Sequence, residues 1–196
     1  MLGPAYTKAN ALRPGQAASS RALAYLLLRR GAPSAAFEAP EQSTALRAKG
    51  GLAARDIGII GRAWVAREPD RRAEVETRLA KVGAKLGEAP SLLVVLTWET
   101  DASDVDLGFR SDPPLFPALD MRSRDGFGPE AFAFDAPPPA NVELSVYFAR
   151  RGPQGDTLGS VHVVEHDGQG GIREQQMPFV LMQERSHVAL GSLTTR

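Results

Sequence analysis

Leu92-Leu93-Val94-Val95-Leu96-Thr97-Trp98-Glu99-Thr100-Asp101-Ala102-Ser103-Asp104-Val105-Asp106-Leu107 is the stretch on which the fold of this chain turns. Its first half is a short, uninterrupted apolar run of the kind that forms a buried strand. The run leads straight into three aspartates spaced D-x-x-D-x-D, and a second strand-like run follows at once. Carboxylates packed so densely repel one another unless water, backbone N–H groups or a cation compensates. The segment therefore marks either a structural corner or a cation site.

Just upstream, Glu88-Ala89-Pro90 is a boundary, because the apolar period changes there from 3.6 to 2. Beyond it, strand-like runs cover Leu92–Glu99, Val105–Arg110, Ala131–Phe134, Val142–Phe148, Leu158–His166, Ile172–Leu181 and His187–Leu190. Turn clusters separate them: Asp112-Pro113-Pro114, Asp125-Gly126, Ala136-Pro137-Pro138-Pro139, Gly152-Pro153 and Asp167-Gly168-Gln169-Gly170-Gly171. Roughly seven strands in about a hundred residues predict a two-layer antiparallel sandwich. Val142, Leu144, Val146 and Phe148 share one face, the predicted core.

Upstream of the boundary the pattern is helical. Ala17–Arg30 carries Ala22, Leu23, Leu26 and Leu27 at helical spacing and stops at Gly31. Pro33-Ser34 restarts a helix through Ala36 and Phe37 toward Leu46. After Gly50-Gly51, Leu52–Ala66 offers Ile57, Ile60, Trp64 and Val65 for burial. Pro69-Asp70 opens a fourth helix with a stripe of Val75, Leu79, Val82 and Leu86, while Arg71, Arg72, Glu74, Glu76 and Arg78 face water. The expected fold is α+β: N-terminal α-helical hairpins over residues 1–88, then an antiparallel β-sandwich over 91–196. In their small-large-small order, Ala22–Leu26, Gly31, Ala35, Ala36, Phe37 and Ala39 resemble a tetratricopeptide repeat, and Ile60, Trp64 and Asp70 begin a looser second copy. Two such units fall short of the roughly three a free-standing solenoid needs. The helices are therefore expected to lean on the second domain or on helices beyond this chain.

The chain has 196 residues, no cysteine and a formal net charge of zero. Thiolate metal sites, disulfides and cysteine nucleophiles are excluded. The zero conceals a split. Residues 1–90 carry 15 Lys and Arg against 8 Asp and Glu, whereas 91–196 carry 8 against 15 and no lysine. The cations of the basic half alternate with acids, as on a solvated helix face, so no nucleic-acid partner is expected. The apolar run Ala22–Leu28 is far shorter than the roughly 20 residues of a membrane span. It lacks a cleavage signal, which gives a cytoplasmic expectation, or a cell-envelope one if the chain belongs to a longer protein.

The C-terminal half also resembles a known family. Leu96–Leu107, then Asp125-Gly126-Phe127-Gly128-Pro129-Glu130, then Val142–Phe148, are similar to the YfaP-type bacterial domain of unknown function. Val163-Val164-Glu165-His166-Asp167-Gly168 and Arg173–Val180 extend the likeness over essentially all of 91–196. In that family the domain often follows a von Willebrand A-type domain and tetratricopeptide-like helices, a segment that residues 17–86 would represent. Gly108 stands where the family commonly has histidine, and the proline-rich 111–117 replaces a polar loop. The family has no assigned reaction, so the resemblance implies architecture and context only.

The aspartates supply the one candidate site. In a strand, Asp104 and Asp106 project to one face about 6.6 Å apart. Asp101 could fold back toward them. Calcium takes six to eight oxygens, which Asp101, Asp104 and Asp106 with Asp125 and Glu130 of the glycine-rich loop could provide, with Asp120 as a further candidate. The alternative is that Asp101 and Asp104 cap turns while Arg110 or Arg122 holds Asp106. His162 and His166 lie roughly 13 Å apart along a strand, too far for one zinc. His187 stands isolated, and Ser186 beside it forms no dyad. Trp64 and Trp98 read as core, and Tyr147 points away from Val146 and Phe148 toward a surface. With no nucleophile elbow and no phosphate loop, a non-catalytic module with a protein partner is expected. The alternative is a calcium-stabilised sandwich that binds carbohydrate or cell-envelope material.

Overall fold

The computed structural model describes residues 3–12, 17–41, 51–112, 114, 119–122, 128–135 and 142–193. The chain divides into two compact units, 1–90 with 166–172 and 91–165 with 173–196. Among the described residues no helix is long and apolar enough to cross a membrane.

The first unit contains α1 (Gly3–Leu12), α2 (Ala17–Arg29), α3 (Pro33–Glu41), α4 (Leu52–Arg67) and α5 (Arg72–Lys81). Helices α2 and α3 pack as one neighbouring pair, and α3 packs on α4. Their shared interior holds Tyr25, Phe37, Ile57, Ile60 and Trp64, with the Phe37 and Trp64 rings 5.6 Å apart. A charged pair lies within it. Arg21 Nε donates to Asp56 at 2.8 Å, and the Tyr25 hydroxyl donates to the other carboxylate oxygen at 2.7 Å. Both oxygens of a buried carboxylate are thereby satisfied, the condition under which such a group is tolerated.

Two features of this unit depart from the sequence pattern. Arg78 does not simply face water: its guanidinium lies 4.9 Å from the Phe37 ring and 5.5 Å from that of Trp64, and it pairs with Glu41. A long cationic side chain can cover aromatic faces while its head stays hydrated. The stripe through Val82 to Leu86 also ends early. The chain turns at Gly83, whose N–H donates to Ala80, while the Ala84 N–H reaches back to Leu79 at 3.0 Å. Leu46 lies outside the described residues, and α1 has no counterpart in the sequence reading.

Residues 166–172 join this unit although they form the turn after a strand. Arg62 of α4 donates from Nε to the Gly168 carbonyl at 3.0 Å and from its terminal nitrogen to Gln169 Oε1 at 3.1 Å. Gly170 has φ +103, and a Cβ there would lie 2.5 Å from Ala66 Cβ. Within the cluster read as a turn, Gly170 is thus required for close approach to a helix as well as for the turn.

The second unit has β1 (Ser91–Trp98), β2 (Asp104–Arg110), β3 (Leu119–Met121), β4 (Glu130–Phe134), β5 (Val142–Arg150), β6 (Thr157–His166), β7 (Ile172–Leu181) and β8 (His187–Leu193). Five strands form one sheet in the order β3-β4-β1-β6-β7, and three form another in the order β2-β5-β8. The pairs β1–β4, β3–β4, β2–β5 and β5–β8 are antiparallel. The Glu99 N–H donates to the Leu158 carbonyl, which sets the end of β1 beside the start of β6 and makes that pair antiparallel too. Leu92, Val94 and Leu96 of β1 meet Val142, Leu144, Val146 and Phe148 of β5 in one core between the sheets. Phe109 of β2 closes it edge-on against Phe132, 4.9 Å between centroids. The fold is α+β with a sandwich-like pair of antiparallel sheets, as the change of period predicts. The three-residue β3 is an addition.

Gly170→Ala should lower stability by about 2 kcal/mol or more in denaturant unfolding, because strain at positive φ adds to overlap with α4. Gly191→Ala is the control. Its φ is +117 but its surroundings are open, so only the backbone cost of about 1 kcal/mol is expected.

Candidate functional site

The corner between β1 and β2 is built around a serine. Ser103 is fully buried, and its Oγ lies 2.9 Å from Thr100 Oγ1 and 3.2 Å from Thr157 Oγ1. It also accepts the Gly152 N–H at 3.2 Å. Ala102, at φ +61, makes the reversal. Hydroxyls that donate and accept at once suit such a closed network, which supplies the corner's internal hydrogen bonds without a cation. Ser103 and Thr157 were missed in sequence because isolated hydroxyl residues carry no periodic signal.

The acids around the corner are spread out. Asp101 is exposed in the turn. Asp104 and Asp106 alternate with buried Val105 and Leu107, so they lie on the outer face of the three-stranded sheet. Burial first, and then the neighbouring Asp104 charge, raises the Asp106 carboxyl above its ordinary value, while Arg122 opposes the shift. Arg110 is engaged with Glu143 instead, and Asp120 accepts from Arg122 at 2.9 Å.

Glu130 lies on the other side of β2. It is directly opposite Leu96, a core residue, so its side chain enters the space between the sheets. There it accepts the Leu107 N–H at 2.9 Å. Leu107 belongs to β2, an edge strand of the three-stranded sheet, so this carboxylate joins the two sheets. Alternation along β2 separates it from Asp104 and Asp106, so the described acids of the expected calcium set, Asp101, Asp104, Asp106 and Glu130, do not converge. Asp125 lies outside the described residues, and among the described residues no three His, Asp or Glu side chains gather where a metal could sit.

Asp106, Tyr147 and His187 pair directly across β2, β5 and β8 and form one row on the outer face. His187 is therefore not isolated: its ring stacks on Tyr147 at 4.4 Å. Ser186 is turned elsewhere, donating to the Gln183 carbonyl. On the other sheet, His162 lies 2.9 Å from Glu174, a β6–β7 pairing within strands rather than a chelating helix. Trp64 is buried, and Trp98 is packed against the sandwich core.

The largest exposed apolar side chains of this unit lie on β6 and at the end of β7. Leu158, Val180 and Met182 are 57%, 52% and 67% exposed. The ring of Phe179 covers Gly159, a register that brings Leu158 beside Val180. The run Phe179-Val180-Leu181-Met182 holds the signal that finds them. Four successive apolar residues at period two must place two outside if Phe179 and Leu181 are in the core.

No protein-family model, curated protein or solved structure matches this chain.

Glu130→Ala should cost about 3–5 kcal/mol in denaturant unfolding, because it orphans a buried amide and opens the core, while Glu130→Gln should retain an acceptor and lose less. In metal-free buffer at neutral pH, Asp106→Asn should melt at or above the wild-type temperature. The raised carboxyl means that ionisation is unfavourable in the folded state, so the difference should fade as pH falls and Asp106 becomes protonated. A lower Tm for this variant, together with a wild-type Tm that rises on adding calcium, would restore the cation reading.

Proposed function

We propose that this chain is a non-catalytic interaction module that binds a protein partner through Leu158, Val180 and Met182. The observation that carries the reading is their exposure side by side on neighbouring strands. Fully burying an exposed aliphatic side chain yields about 1.5–3 kcal/mol, and these three, about half exposed, would each contribute about half of that on being covered. The manner of docking follows from the sheet edges. Strand β3 has three residues, β7 carries Pro178, and the β2 amide of Leu107 is taken by Glu130. Strand β8 is interrupted where pairing skips from Gly191 to Ala189. Edges managed in these ways resist added strands, which favours a partner that seats on side chains. The likeness of residues 91–196 to the YfaP-type domain fits a role within a larger bacterial assembly and carries no reaction.

The test is site-specific photocrosslinking from position 180 in the native host, with Leu158→Lys and Met182→Lys as comparison. The wild type should give one dominant crosslinked protein. The double variant should keep its Tm within about 2 °C, since exposed substitutions cost little, and lose the crosslink. Crosslinking that is diffuse, or indifferent to the two lysines, would sink the reading.

A further inference from the structure

His166 ends β6 and begins the turn that packs on α4. It is 1% exposed, and apart from the Ala89 backbone beside it neither ring nitrogen has a polar partner within hydrogen-bond reach. A buried imidazole in that position is tolerated while neutral and becomes costly once charged. The turn it begins is held from α4 by the two Arg62 bonds and by the fit of Gly170 against Ala66. Within the turn, Asp167 accepts the N–H groups of Gln169 and Gly171, at 2.6 and 2.9 Å.

We propose that protonation of His166 releases the 166–172 turn from α4, making this turn an acid-operated latch.

The charges around the ring set the direction. Burial depresses the imidazole's affinity for a proton, outweighing Asp167 beside it and the Ala89 backbone, and Arg62 from α4 adds to the depression. Two further acids flank this region, Glu88, which is committed to Arg72, and Glu165, which is committed to Arg173. The released turn exposes the ring and binds a proton more tightly than the closed one. The latch is therefore fully closed above the ordinary histidine range, near pH 6.5, and opens as pH falls below it. Asp167 titrates separately. Burial resists its ionisation, but the Gln169 and Gly171 amides outweigh that and hold it below the usual carboxylate range. Its loss would come only at much lower pH.

Amide hydrogen exchange of the full chain, corrected for the intrinsic effect of pH, tests this. Between pH 7.5 and 5.0 the protection of 166–172 should fall by about tenfold, while β2 and β5 keep theirs. His166→Leu should hold protection constant over the same range. Unchanged wild-type protection, or an equal fall in the leucine variant, would overturn the proposal. If the leucine variant does not fold, the wild-type His166 ring resonance decides. Titration below the ordinary histidine value supports the latch, and titration at or above it refutes the latch.

Discussion

A carboxylate inside an apolar sandwich must find donors, and Glu130 finds one on the opposite sheet. Its bond to the Leu107 amide lies beside the apolar core between the sheets. Hydrophobic burial sets how strongly two sheets adhere but little about their register, because apolar contact has no direction. A buried acid with a directed hydrogen bond does set register, since any slip breaks that bond and leaves the amide unsatisfied. The same bond occupies an edge amide of β2 that would otherwise remain open to another strand.

The rest of the sandwich follows from that anchored geometry. With β2 held against β4, Phe109 reaches Phe132 and Phe134, and alternation turns Asp104 and Asp106 outward. The aspartate-rich corner is then free of the burden its composition suggests. A serine–threonine network carries the turn, and the acids are spread apart, with Arg122 paired to Asp120 and opposing the raised carboxyl of Asp106. Polar chemistry thus collects at the corner and on the outer face of the three-stranded sheet, whereas unsatisfied apolar surface collects at Leu158, Val180 and Met182.

In the helical unit the comparable constraint is Asp56, which binds Arg21 and Tyr25 of a helix, 35 and 31 residues earlier in the chain. None of the three stands out in sequence, because each is an ordinary member of a helix whose apolar stripe is strong without it. Arg78 is similar. Its neighbours Arg71, Glu74 and Glu76 are solvated, and only the position of the Phe37 and Trp64 rings draws it inward.

Helices before Pro90 and strands after it, the stop at Gly31, and the inward face of β5 were all determined by sequence alone. Each depends on local periodicity or on a backbone conformation that one residue type supplies. What only the tertiary structure decided is where single polar groups point once strands pair. Glu130 and Asp106 are both acids beside strand residues, yet one lies in the core and the other outside. Their faces depend on which residue each meets across a strand, Leu96 for one and Tyr147 for the other. The turn at 166–172 is the same case. Its glycines announce a turn, but that the turn belongs to α4 is a long-range fact, carried by an arginine more than a hundred residues earlier.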